Sequence, residues 1–351
     1  LHLEGTVDVY PVGKLPAEVL DRVLRRASRP DERLILGPGV GLDCAVIDFG
    51  DRALVAKTDP ITFATEDIGW YAVHINANDV ATTGAAPRWF MAALLLPEQR
   101  TDEGLVDDVF EQIGRACEGI GATLIGGHTE ITTGLRRPIV VGTMFGEVDR
   151  ARLITPRGAS PGDRLLLTKG IPIEATSLLA REVPGKLSAV PTDVIERARG
   201  LLTDPGVSVL PEATAAAAAG GVSAMHDPTE GGLAGGLWEL ALAADVGIEV
   251  DRQAISIVPE ALTICTALDV DPYTAIASGA LLMTVRPESA SDVMRSVRAA
   301  GVEVAEIGVI TQGTGVVMRE AGILKPLRRP ERDAVAAVLE RAMLDEQDQA
   351  M

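Results

Sequence analysis

Five short segments of this 351-residue chain set carboxylates among glycines and small apolar residues, and they are where chemistry is to be sought. Four lie in the first half: Gly41-Leu42-Asp43, Lys57-Thr58-Asp59-Pro60, Asn76-Ala77-Asn78-Asp79 and Gly126-Gly127-His128-Thr129-Glu130. The second half offers His226-Asp227-Pro228-Thr229-Glu230-Gly231-Gly232. Asp43 stands just before an apolar run, Asp59 at the end of one, where a strand would leave its sheet, and Asp79 interrupts a small-residue helical stretch. Carboxylates in such places cost free energy unless paired or bound to a cation. Magnesium is held by a few carboxylates together with water and substrate phosphates, so scattered aspartates of this kind suit it. Each segment also has an ordinary reading. An Asp beside a strand caps a turn or helix, Asn78-Asp79 can face solvent, Gly126-Gly127 can be a plain turn, and Thr229 can cap a helix that begins at Gly231-Gly232. His74 reads as a core or interface residue. His128 and His226 each abut a carboxylate and a glycine pair, which raises their interest without settling a role. The ordered combination carries more weight than any one segment.

Other phosphate-handling motifs are absent. No G-x-x-x-x-G-K-[ST] occurs, Gly37-Pro38-Gly39-Val40-Gly41 is not G-x-G-x-x-G, and there is no G-x-S-x-G, H-E-x-x-H or kinase signature. Cys44, Cys117 and Cys265 are far apart with no CxxC, which fits reduced thiols in a cytoplasm and gives no zinc site. Cys44 reads as a small buried hydrophobe. A net charge of −18 argues against a sequence-independent grip on nucleic acid. It leaves nucleotides open, because bound cations invert local charge. No apolar run is long enough to span a membrane, and Leu1–Lys14 does not read as a signal peptide.

The elements that must position these residues follow from periodicity. Helices are expected at Leu15–Arg26, Ile68–Thr83 and Glu103–Ile120, with strands at Cys44–Phe49, Ala53–Lys57, Trp89–Leu95, Ala122–Ile125 and Pro138–Glu147. The turn formers of Pro156–Asp163 mark a boundary, giving domains 1–155 and 156–351. Beyond it, strands are expected at Arg164–Lys169, Ile248–Val250, Gly279–Val285, Glu303–Ile310 and Gly315–Met318. Helices are expected near Ile173–Arg181, Val194–Leu202, Pro211–Ala219, Leu233–Ala243, Ala290–Ala300 and Glu331–Met343. Both halves mix strands and helices without strict alternation, which predicts two α+β domains rather than a doubly wound parallel sheet.

Taken in order, Asp43, Thr58-Asp59, Asn78-Asp79, Gly126-Gly127-His128-Thr129 and Asp227-Pro228-Thr229-Glu230-Gly231-Gly232-Leu233-Ala234 resemble the signature of the AIR synthase (PurM)/HypE/ThiL/SelD superfamily. The resemblance runs from about Leu15 to Met318. The last segment, with Asp67-Ile68-Gly69, is most similar to HypE, the hydrogenase maturation branch. It implies a two-domain PurM-like fold. The N-terminal strands would form a barrel shared across a homodimer, and the C-terminal half an α/β sandwich. It also implies ATP in a cleft between the domains, with Asp43, Asp59 and Asp79 on magnesium. Lys57, Thr58, Asn78, Gly126, Gly127, Thr129, Lys169, Thr229, Gly231 and Gly232 would line the nucleotide site, although Lys57 and Lys169 read equally well as solvent-facing.

Members of that superfamily use the γ-phosphate to activate an oxygen; HypE does so on a carboxamide thioester, and loss of phosphate leaves a nitrile. Such a step needs a base, for which Glu130, His128, His226 and Asp227 are all candidates. HypE proteins carry a terminal cysteine, whereas this chain has none after Cys265 and ends Leu344–Met351. The expectation is therefore an ATP- and magnesium-dependent, HypE-like cytoplasmic homodimer acting on a small substrate, with a maturation partner protein among its contacts; whether that partner supplies a thiol is left open by the sequence. A small-molecule kinase like thiamine-monophosphate kinase and a nucleotide-binding scaffold with little turnover are the competing expectations.

Overall fold

The computed structural model describes residue 10 and residues 12–350, with 343–350 as helix backbone. The reading of Leu1–Lys14 as no signal peptide thus falls mostly outside the described residues, as does Met351. A short helix α1 (Ala17–Ala27) precedes a first sheet built from β1 (Leu34–Leu36), β2 (Ala45–Asp48), β3 (Arg52–Ile61), β4 (Ala86–Pro97), β5 (Thr123–Thr132) and β6 (Ile139–Asp149). Helix α2 (Ile68–Thr82) links β3 to β4, and α3 (Glu103–Ile120) links β4 to β5. The strand order is β1-β2-β3-β6-β4-β5. Only β4 and β5 run parallel, and α3 provides the crossover that a parallel pair requires. Within one chain this sheet is open, with β1 and β5 at its edges.

The second half comprises β7 (Arg164–Thr168), α4 (Ile173–Glu182), α5 (Thr192–Gly200), α6 (Leu210–Ala219), β8 (Val222–His226), α7 (Gly232–Ala244) and β9 (Gly247–Asp251). It continues through α8 (Pro259–Leu268), β10 (Leu282–Val285), α9 (Ala290–Ala299), β11 (Val304–Thr311), β12 (Gly315–Glu320), β13 (Ile323–Pro326) and α10 (Ala334–Ala350). Its seven-stranded sheet has the order β13-β12-β9-β11-β7-β10-β8. Two mixed sheets with helices packed on them are the α+β architecture anticipated from the sequence.

Two features place the site. The first is that β3 outruns its neighbour. Strand β2 pairs only with residues 53–56 of β3, whereas β6 pairs along 52–61. Beyond Ala56 one flank of β3 is open, and Pro60, with no N–H to donate, is accommodated there. Asp59 therefore lies inside a strand, not at the end of one as its proline neighbour suggests. The second is α2, in which every residue but Trp70 is buried. A helix buried on nearly every face belongs to a core, and its polar residues His74, Asn76, Asn78 and Asp79 are buried with it. This one packs on β3, β4 and β6 and also touches α6 and β8 of the second half.

Several elements differ from expectation. Strand β5 runs straight through Gly126-Gly127, for which a plain turn was the ordinary reading: a Cβ at Gly127 would lie 1.9 Å from the Ala92 carbonyl oxygen, so glycine lets β5 approach β4. Strands β1, β8 and β13 and helix α8 were not anticipated. They are short, or, like Val222–His226, lack a clear alternation, and sheet pairing supplies what local pattern does not.

Candidate functional site

Where α2 meets β8, the carboxylates of Asp43, Asp79 and Asp227 converge, each offering an oxygen within 4.8 Å of the others. Each arrives on a different element. Asp43 lies in the turn before β2, Asp79 on α2 and Asp227 immediately after β8. Asp79 and Asp227 are 2% and 1% exposed. Neither oxygen of Asp227 accepts a hydrogen bond from a described residue. Lys57, on the open flank of β3, stands 3.1 Å from Asp79 Oδ2 and 3.3 Å from Asp59 Oδ2. Strand alternation sends Lys57 and Asp59 to one face and Thr58 to the other, where the Thr58 hydroxyl donates to the Gly142 carbonyl.

The other wall is ionic too. His226, 1% exposed, sits between Asp43 (Nδ1 to Oδ2, 2.8 Å) and Glu239 of α7 (Nε2 to Oε2, 3.1 Å). Lys14 reaches in from before α1. Its Nζ donates to Thr229 Oγ1 at 3.0 Å and lies 3.3 Å from Glu230 and 3.8 Å from Glu239. Six carboxylates (Asp43, Asp59, Asp79, Asp227, Glu230 and Glu239) thus face three cationic groups, Lys14, Lys57 and His226.

The titration behaviour reflects that imbalance. Burial disfavours ionisation of Asp43, yet His226 overrides it and holds the carboxyl below its usual range. Burial also disfavours the imidazolium of His226, but Asp43 and Glu239 raise it well above the ordinary value. Burial and then the neighbouring Asp227 push Asp79 well up. Burial and Asp43 push Asp227 up to about 7. Lys57 is raised well above its usual value because Asp79, Asp59 and Asp43 outweigh its burial. Buried carboxylates that lack enough positive partners are poised for a cation. An all-oxygen donor set fits a hard divalent ion such as magnesium and not a thiolate-seeking metal.

The residues singled out from sequence separate into groups. Asp43, Asp59, Asp79, Lys57, His226, Asp227 and Thr229 come together. Asn78 is adjacent, but its amide is turned to the backbone, donating to the Val207 carbonyl and accepting from Val209 N–H at 2.8 Å each. Gly231 donates its N–H to Asp333 at 2.8 Å, and Gly232 has φ +63, with a Cβ there meeting the Ala275 carbonyl oxygen at 2.6 Å. That pair aims the turn that carries Thr229. Lys169 lies elsewhere. Its Nζ is 2.9 Å from Glu212 and donates to the Ser208 carbonyl at 2.6 Å. His128, Glu130, Gly126, Gly127 and Thr129 belong to the exposed edge strand β5, from which β3 is separated by β4 and β6. There His128 and Glu130 pair with each other at 3.2 Å.

Sequence reasoning missed Lys14 and Glu239. Glu239 is the one charged residue of α7, an available signal. Lys14 gave none, since its partner Thr229 is 215 residues away. The three cysteines are free and buried. No described helix is long and apolar enough to cross a membrane.

The chain belongs to the AIR synthase related proteins. The N-terminal domain of that family matches residues 41–148 and its C-terminal domain residues 160–320. Among curated relatives, a putative hydrogenase expression/formation protein of Methanocaldococcus jannaschii is 29% identical over 274 residues, covering 74% of this chain and 77% of the relative. Carbamoyl dehydratase HypE of Rhizobium leguminosarum bv. viciae is 28% identical, covering 76% of each. Thiamine-monophosphate kinase of Escherichia coli K12 is 31% identical over a shorter stretch, 47% of this chain and 50% of the enzyme. The fold is that of solved HypE structures. HypE in complex with ATP superposes with a TM-score of 0.67 at 23% identity, covering 90% of this chain and 91% of that one. A chain of a HypE–HypF complex gives 0.70 at 20%, covering 83% of this chain and 94% of that one.

Proposed function

We propose that this protein is an ATP- and magnesium-dependent enzyme that activates the oxygen of a small amide or carbonyl substrate by phosphorylation, in the manner of carbamoyl dehydratase HypE. The observation that carries the reading is the undercompensated triad of half-buried Asp43 with buried Asp79 and Asp227, both Asp227 oxygens lacking a donor among the described residues. Magnesium bound there would neutralise phosphate charge and draw electrons from the transferring phosphoryl group. Asp43, Asp79 and Asp227 would hold it, with Asp59 beside them through Lys57.

The protein's own groups divide the remaining work. His226, held protonated between two carboxylates, fixes Asp43 in place and has no lone pair with which to act as a base. Burial and the neighbouring Asp43 push the Asp227 carboxyl up, and neither of its oxygens accepts a hydrogen bond from a described residue, so both are open to a cation. Lys57 spans Asp59 and Asp79 and keeps their oxygens turned toward one space. Thr229 and the Gly231-Gly232 turn provide a hydroxyl and a close-packed backbone at the second wall.

The same reading places the boundary between the two units at residues 155/156 and puts the protein in the cytoplasm as a homodimer. The exposed β5 edge, with Ile125 and Ile131 uncovered, would be the contact, bringing His128 and Glu130 of each copy to the other. A maturation partner protein fits the HypE relation, since HypE has been solved in a complex with HypF. The similarity to thiamine-monophosphate kinase supports a second reading, simple phosphorylation of a small molecule, in which a stable phosphorylated product accumulates instead of a dehydrated one.

The test is ATP calorimetry with and without Mg²⁺ on wild type, Asp59→Asn and Asp79→Asn. Binding that requires magnesium and weakens by about a hundredfold or more in Asp79→Asn is expected, since a lost ligand strips an ion of most of its hold. Normal, magnesium-independent binding in both variants would sink the proposal.

A further inference from the structure

The polypeptide before β1 is lightly fastened to the rest of the molecule. None of the residues of α1 is buried, and the one ion pair it makes, Arg25 with Asp21, is internal. Among the described residues, no backbone hydrogen bond joins residues 12–30 to any other part of the chain. Their polar tie to the body is the Lys14 ammonium, which donates to Thr229 Oγ1 and stands against Glu230 and Glu239. The Lys14 side chain is 47% exposed, and ion pairs so open to water contribute little and give way readily. Gly13, just before it, has φ +129, a conformation that suits glycine, and a Cβ there would meet nothing within 4 Å. Yet Val12, Gly13 and Lys14 form one wall of a cavity of about 320 Å³ whose other walls include Asp59, Thr229 and Glu230.

We propose that residues 12–27 are a releasable arm, latched over the acidic site by Lys14, and that the latch and a divalent cation on Asp43, Asp79 and Asp227 weaken one another. The inference rests on the reading above that this triad holds the cation, and it adds what keeps the site closed until the cation arrives.

An unbroken row of charged groups joins the latch to the triad. Glu239 offers Oε1 to Lys14 and Oε2 to His226 Nε2, and His226 turns Nδ1 to Asp43 Oδ2 at 2.8 Å. Desolvation works against the Lys14 ammonium, but Glu239, Glu230 and Asp43 hold it above its ordinary value, so Lys14 and the triad share one field. A divalent ion on Asp43 would act on this row twice. It takes up negative charge that Asp43 now directs at His226, which leaves Glu239 more committed to His226 and less to Lys14. It also repels the Lys14 ammonium directly. Lys14 is then left with Glu230 and a hydroxyl, and the arm loses most of its fastening. Such a coupling is reciprocal: the factor by which the cation weakens the latch is the factor by which the latch weakens the cation. Release also removes a wall of the cavity, so the arm governs entry as well as charge.

The experiment follows both sides of that exchange on the full chain with Mg²⁺ alone. Calorimetry should show Lys14→Met binding Mg²⁺ about tenfold more tightly than wild type, while Lys14→Arg, which keeps the charge, should stay within about threefold of wild type. The arm is followed by a nitroxide on Val12→Cys, a position 52% exposed in a chain whose own three cysteines are buried. Saturating Mg²⁺ should turn its spectrum from immobile to mobile, and Lys14→Met in the same background should be mobile without Mg²⁺. Arg26→Met, an exposed change on α1 outside the latch, should move neither readout. Equal or absent Mg²⁺ binding in wild type and Lys14→Met, or a label indifferent to Mg²⁺, would overturn the inference. The ATP titrations described above separate the failures: if magnesium-dependent ATP binding is absent the proposed function falls as well, and if it persists only the latch is lost.

Discussion

Lys57 and Lys169 look alike in sequence, each a lysine at the end of an apolar run, and both are buried. Their surroundings differ. Lys169 has one carboxylate, Glu212, and a carbonyl at 2.6 Å from Ser208, a closed local arrangement. There burial wins, and the ammonium is pulled below its usual range. Lys57 has two carboxylates within 3.3 Å and a third nearby, and there the carboxylates win. A charge matched by its neighbours reads as structure. A charge outnumbered by its neighbours marks a place where something is still to bind.

That contrast is open to direct attack. The largest effect is expected from Lys169→Met, which strands a fully buried Glu212 and should cost about 3–5 kcal/mol in urea unfolding, with no recovery on adding magnesium. Lys57→Met should also weaken the metal-free protein, but magnesium should restore its midpoint, because a ligand that binds only the folded state stabilises it. Equal behaviour of the two variants toward magnesium would erase the distinction.

A middle-sized effect is expected from pH. Asp227 has a carboxyl raised to about 7 in the folded chain against about 3.9 in an unfolded one. A raised carboxyl contributes stability that is complete below the unfolded value and is lost as pH rises through the folded one. The metal-free protein should therefore lose stability between about pH 4 and pH 7, by a few kcal/mol, from this group. Asp227→Asn should flatten that decline and abolish stabilisation by magnesium; an unchanged pH profile would count against the frustrated cluster.

The smallest effect should come from β5. His128→Ala removes an exposed pair with Glu130, and surface pairs contribute little, so the urea midpoint of the isolated chain should stay where it is.

Asp43 and Asp79 were legible because one stands before an apolar run and the other interrupts a small-residue stretch, where an acid is costly, whereas Asp227 was legible only as part of Asp227-Pro228-Thr229-Glu230-Gly231-Gly232. Their partners were not. Lys14 and Glu239 acquire meaning from residues more than ten positions away, and Glu239 from His226 at the end of another element. Conversely, His128 and Glu130 were singled out by their proximity to glycines. Those glycines serve the close approach of β5 to β4. The fold was read well where periodicity was strong, as in α2, α3 and β6, and poorly where a strand exists because a neighbour pairs with it, as in β8 and β13.

The burial of α2 against both sheets bears on how the molecule comes apart. One continuous apolar cluster takes Tyr71, Phe90 and Met144 from the first half and Ile173, Leu178 and Leu339 from the second. Melting either sheet would strip the other of part of its interior, so the halves are thermodynamically interdependent despite having separate sheets. Calorimetry should register a single cooperative endotherm whose van't Hoff and calorimetric enthalpies agree, and the loose hinge that many two-lobed nucleotide enzymes use to open is foreclosed by the helix that the lobes share.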